Sequence, residues 1–400
     1  MVTAVGNLGF NLLVARAGGA EAYGAVAALL GLSALGGFIA TGNQYAVARM
    51  TATSDASPAA LVGRGLRAVS PWLLVAAALL AVTGPAAAYL HLDTALPVAF
   101  GVGLFAAIIT GSAISGVLVG RRRFRVIAGL SITTMVVRIS LGLLFLPGRD
   151  AVTYALGLSL AATVSTSLLA AGMVLRGGRI AAEGPARLGR AATLAAEGLI
   201  GSLLAGALWA TWSLPVAYAR HALPAEAAGD FAATQLIAGG LIIVLAPLTM
   251  AFFPTIARYR DRRTISAGLG ATLAIGLAGA AALALLGPWM IERLYGPGFV
   301  TQPTLALAMG ISALAVATAS YCVWAARALL SHPRALASGA LVAVGLEATI
   351  GLAVQESPAL LAASPGVAII VGVVVVAIAM TMANRRGRAP AEAGAREDWV

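Results

Sequence analysis

A handful of polar side chains interrupt the apolar stretches of this 400-residue chain, and any chemistry has to be sought among them. Arg138 lies near the middle of SITTMVVRISLGLL. A guanidinium there costs about 2.5–3.5 kcal/mol to place in hydrocarbon. Such a cation either faces a cleft, where it meets a phosphate group, or stays inside a lobe, paired with a carboxylate or with helix carbonyls. Glu347, in LVAVGLEATIGL, stands 209 positions later and either pairs with Arg138 or binds a coupling proton. Glu197 sits a few residues into another apolar stretch; it reads as a side chain that snorkels to water or as a second ion-coupling candidate. Asn7 and Asn11 are four apart and so project from one helix face. They line a cleft or hydrogen-bond to a neighbouring helix, an interaction worth about 0.6–2 kcal/mol. Gln44 and Gln235 are weaker versions of the same case, and Arg16, closing the first apolar stretch, completes the candidate binding set.

What the sequence lacks narrows the chemistry further. It has no Gly-rich phosphate loop with its Lys, no paired-carboxylate motif and no His/Asp/Ser arrangement, so the reading is not an enzyme. His91, His221 and His332 fall on three separate connections, and Cys322 stands inside an apolar run. That spacing fits neither a metal site nor a disulfide framework, and no cofactor is expected. The net charge of +11 does not point to nucleic acid, because all 26 basic residues are Arg and they fall almost wholly between apolar segments. Arginines so placed act as membrane orientation signals.

The elements that must position these residues are membrane helices. The chain is 60% hydrophobic and 10% charged, with a mean hydropathy of +0.93, whereas a soluble domain carries about 25% charged residues. Apolar runs set against a span of roughly 17–25 residues give twelve helices: 2–16, 23–48, 69–90, 96–120, 126–146, 151–175, 193–219, 230–254, 265–291, 302–326, 335–354 and 359–383. The first lacks a basic leader and a cleavage site and is read as a retained helix rather than a signal peptide. It holds about fourteen residues where roughly 20 are needed. Either it tilts little and its ends snorkel, or the true start lies upstream of Met1. Pro215 and Pro247 are expected to bend their helices, and Trp209 and Trp212 to join an interfacial aromatic belt.

Connections alternate in charge. One set holds 21 arginines, including Arg49, Arg122, Arg260 and Arg385; the other holds only Arg16, Arg149, Arg220 and Arg293. This asymmetry puts both termini in the cytoplasm and requires an even number of spans. The chain also echoes itself. Ala15-Arg16 followed by Ala20-Glu21-Ala22-Tyr23-Gly24 returns as Ala219-Arg220 followed by Ala225-Glu226-Ala227-Ala228-Gly229. Two six-helix lobes, 1–175 and 193–383, joined by a cytoplasmic linker at 176–192 and followed by a disordered tail at 384–400, would then form a parallel repeat with a cleft between them. The expected fold is all-α and polytopic.

The opening stretch, NLGFNLLVARAGGAEAYGAVAALLGLSALGGFIATGNQYAVAR (7–49), carries a Gly-rich corner at 17–24. It resembles the opening of polysaccharide-biosynthesis flippases of the multidrug/oligosaccharidyl-lipid/polysaccharide exporter superfamily. SGVLVGRRRFRVIAGL (115–130), ARHALPAEAAGDFAATQLIAG (219–239), APLTMAFFPTIAR (246–258) and IERLYGPGF (291–299) are similar to further stretches of that family, in family order. The resemblance implies alternating access between the lobes, moving a lipid-linked oligosaccharide from the inner to the outer leaflet of a bacterial plasma membrane. It implies a polyprenyl-pyrophosphate carrier, and glycosyltransferases or a polymerase as partners. Many members carry an acid in helix seven where this chain reads Trp212-Ser213-Leu214-Pro215, which puts ion coupling at that place in doubt. A multidrug or toxin exporter of the same superfamily and a non-transporting envelope-assembly scaffold are the alternatives.

Overall fold

The computed structural model describes residues 2–53, 56–176, 191–259, 262–328 and 333–394. Every regular element among them is an α-helix: α1 Val2–Thr53, α2 Pro58–Ala81, α3 Thr83–Tyr89, α4 Leu96–Gly120, α5 Phe124–Phe145, α6 Ala151–Arg176, α7 Ala191–Ala222, α8 Ala225–Tyr259, α9 Arg262–Tyr295, α10 Pro303–Ala328, α11 Pro333–Val354 and α12 Pro358–Gly394. Nine of the described helices, α1 counted once, are long and apolar enough to cross a membrane. Their outward faces carry Leu74, Leu144, Leu285 and Val374, all exposed. An apolar girdle of that extent belongs in lipid. The protein is an all-α, multi-pass membrane protein.

The first two expected helices are one element by hydrogen bonding, but the chain still doubles back within it. Gly6 faces Met135 and Gly142 faces Leu13, so the first half of α1 runs parallel to α5. Gly101 faces Leu29 and Gly120 faces Ala48, so the second half runs parallel to α4, the opposite way. The expected eight-residue corner is a single residue, Gly19, at φ 72° and ψ −175°. Only glycine occupies that region at little cost. A one-residue reversal leaves few backbone groups unpaired, which matters next to hydrocarbon. Beyond its own stretch of backbone, nothing lies within 4 Å of a Cβ built at Gly19, so Gly19→Ala meets no obstacle from packing. Its cost is conformational, about 1–3 kcal/mol, and a lowered thermal midpoint in detergent is the expected result.

Two further boundaries differ from expectation. The third helix begins at Pro58 rather than 69, because Ser57 caps it by accepting from the Ala60 N–H (3.3 Å) and proline occupies its first turn. It then breaks at Val82 into α2 and α3. At the other end of the chain α12 continues through Gly394, past the 383 expected; 395–400 and most of the linker, 177–190, lie outside the described residues.

The same packing pattern appears twice. α4 packs on α1, α2 and α6, just as α10 packs on α8, α9 and α12. α5 packs on α1 and α6, just as α11 packs on α7 and α12. Two six-helix lobes result, and they meet chiefly through α1 against α7 and α8.

Candidate functional site

On α5 only Arg138 and Gly142 are buried; the rest of the helix is half-buried or exposed. Both turn toward the first half of α1. Gly142 leaves room for Leu13 and Phe10, and the Arg138 guanidinium lies 3.8 Å from the centroid of the Phe10 ring. Its NH1 donates to Asn7 Oδ1 at 3.0 Å. One turn on, Asn11 donates through Nδ2 to the Asn7 carbonyl at 2.8 Å, so the two asparagines do share a face. The Arg138 Nε–H is buried and meets no acceptor. Among the described residues no carboxylate pairs with it. A ring face offers a cation about 0.5–2 kcal/mol, and one neutral acceptor leaves most of a five-donor fork unused.

Glu347 does not pair with Arg138. The two occupy equivalent places on α5 and α11, and equivalence in a two-lobe repeat puts them in opposite lobes. Glu347 is fully buried; its Oε1 accepts from Ser364 Oγ at 2.9 Å, and its Oε2 has no partner. Tyr218 lies beside it, in contact with Gly351 one turn on. A fully buried carboxylate with one free oxygen is a site able to take a small cation or a proton.

The remaining candidates scatter. Gln235 is buried and donates through Nε2 to the Trp212 carbonyl of α7, three residues before Pro215. It ties α8 to α7 rather than joining the Arg138 group. Gln44 is half-buried, while its neighbour Asn43, passed over in the sequence, is buried and donates to Ser112 Oγ at 2.7 Å. Trp209 stacks on Phe38 of α1 (centroids 5.0 Å apart) and Trp212 is buried, so these rings pack between helices instead of forming a belt. Neither the Glu197 nor the Pro247 side chain is among those described, and His332 lies outside the described residues.

Arg16 belongs to a different group, at the arginine-poor end. Its Nε donates to the Leu294 carbonyl of the other lobe at 3.1 Å. There Tyr23 of the AEAYG stretch packs edge-on against Tyr295 and Phe299 of LYGPGF, at 5.4 and 6.0 Å. His91 and His221, separate in sequence, meet in the same region with ring centroids 5.5 Å apart. Each ring donates to a backbone carbonyl: His91 Nε2 to His221 O at 2.9 Å and His221 Nδ1 to Tyr89 O at 2.8 Å. Both tautomers are thereby fixed, since a carbonyl only accepts.

No family model and no curated protein matches the chain. Solved structures do. The chain is similar to the lipid II flippase MurJ in an inward closed conformation, with a TM-score of 0.69, 13% identity, and coverage of 95% of this chain and 86% of that one. It is similar to an inward-facing multidrug resistance MATE family transporter of the MOP superfamily, with a TM-score of 0.65, 16% identity and 96% of each chain covered. An outward-facing MATE family transporter gives 0.51 at 16% identity, covering 97% of this chain and 92% of that one. Across nearly its whole length, the chain has the fold of MOP superfamily transporters.

Proposed function

We propose that this protein is a flippase. It carries a lipid-linked saccharide with a pyrophosphate head from the inner to the outer leaflet by alternating access of its two lobes. The observation that carries this reading is Arg138, a buried guanidinium at mid-span whose Nε–H has no acceptor and whose only described polar partner is the amide of Asn7. A permanent cation cannot escape its cost by losing a proton. An anionic substrate supplies the missing acceptors, and the planar fork suits a bidentate phosphate contact. Asn7, exposed on α1, guides the head group to it. Glu347, one lobe away, is the ion-coupling site in this reading. The arginine-rich end faces the cytoplasm of a bacterial plasma membrane. Enzymes that build or polymerise the saccharide are its partners.

The test is selective stabilisation. A polyprenyl-pyrophosphate saccharide should raise the thermal midpoint of the purified protein, and Arg138→Ala should remove that rise. Stabilisation by a hydrophobic cation such as ethidium, with none by the pyrophosphate lipid, would favour multidrug export instead.

A further inference from the structure

The two arginines that mark the internal repeat are bonded across the lobes in a reciprocal way. Arg16, of the first lobe, donates through Nε to the carbonyl of Leu294 at 3.1 Å. Arg220, of the second, donates through Nε to the carbonyl of Leu90, also at 3.1 Å. Arg220 minus Arg16 and Leu294 minus Leu90 both give 204, so one bond is the repeat image of the other. Leu90 follows the last residue of α3, and Leu294 is the penultimate residue of α9. Each guanidinium therefore caps the carbonyl end of the equivalent helix in the opposite lobe, where carbonyls lack helical partners and the helix dipole favours a cation. Arg220 adds bonds to the carbonyls of Glu21 and His91, each at 3.4 Å.

The repeat-related glycines Gly24 and Gly229 meet each other directly. A Cβ on Gly24 would sit 3.0 Å from the Gly229 nitrogen, and a Cβ on Gly229 would overlap the Ala20 carbonyl. The backbones of α1 and α8 thus touch where the two lobes' equivalent segments cross.

We infer that Arg16 and Arg220 form a reciprocal clasp about this glycine crossing, which holds the arginine-poor end shut and must be released for that end to open. The inference rests on the proposed alternating access of the lobes, not on the identity of the cargo. Because every hydrogen-bond acceptor is a main-chain carbonyl, opening breaks no hydrogen bond to a carboxylate, and water replaces the lost partners on both sides. The clasp is thereby strong enough to hold and cheap enough to release.

The experiment is a distance measurement between the lobes, with no substrate present. Spin labels go at the exposed positions Asp93→Cys and Glu226→Cys, in a Cys322→Ser background. The unaltered clasp should give one short distance. Arg16→Met and Arg220→Met should each add a longer component, raising the open-to-closed ratio about tenfold, and the double variant should raise it further. Gly229→Ala should add the same component with both arginines present, by wedging the crossing apart. If the double variant does not purify, the single variants and Gly229→Ala decide. An unchanged distance distribution in the arginine variants would overturn the clasp. A failure of the cargo reading would leave this result as it is, since the readout contains no cargo.

Discussion

Arg138→Ala is expected to abolish saccharide export while leaving the protein inserted and at close to its normal level. The guanidinium is held by a ring and an amide, not by a carboxylate, so its removal leaves no buried anion behind. Loss of Phe10 and Asn7 contacts costs about 1–3 kcal/mol at most, part of which is returned because a charge no longer has to be buried. Transport, in contrast, loses its only mid-span cation among the described residues. Arg138→Lys should recover a fraction of export, because a point charge survives but the bidentate fork does not. Protein level and export of surface saccharide, measured together for both variants, give the answer. A collapse in level with normal export per molecule would mark Arg138 as a structural residue.

Gly120→Leu is expected to have the largest effect on folding. Gly116 and Gly120 stand one turn apart on α4, facing the carbonyls of Gln44 and Ala48 on α1. A Cβ on Gly120 would fall well inside contact distance of the Ala48 carbonyl and also strike Thr51. The obstacle is backbone, so no rotamer change relieves it, and the close approach that small residues permit in membranes is lost. α1 carries both the α5 face around Arg138 and the contact with the second lobe, so separating α1 from α4 undoes both. The protein should fail to accumulate, whereas Gly129→Leu, where nothing lies within 4 Å of an added Cβ, should be neutral. Membrane-fraction immunoblots of the two variants make the comparison.

Much of this architecture was legible in the chain, for physical reasons. Span length and arginine alternation give the helix rhythm because hydrocarbon thickness fixes the one and charge transfer the other. The repeat was visible at Arg16 and Arg220 because equivalent ends of equivalent helices meet the same chemical need. Its meaning was not visible, since the acceptors are carbonyls and carbonyls leave no trace in a sequence. Asn7 and Arg138 both stood out as polar intruders, but their contact needs the registry of α1 on α5, which Gly19 and Gly142 set. Arg138 and Glu347 invited pairing by their offset. That same offset places them in separate lobes. The tight α1–α4 crossing was hidden because Gly116 and Gly120 lie among many glycines, and only the facing carbonyls distinguish them.

The central claim is tested most directly in vesicles that contain only the purified protein and a fluorescent polyprenyl-pyrophosphate saccharide, with leaflet location read by an impermeant quencher. The account predicts that the protein moves the label between leaflets, that Arg138→Ala vesicles behave like protein-free ones, and that an uncharged polyprenol saccharide is not moved. Equal movement of charged and uncharged lipid, or normal movement by Arg138→Ala, would contradict it.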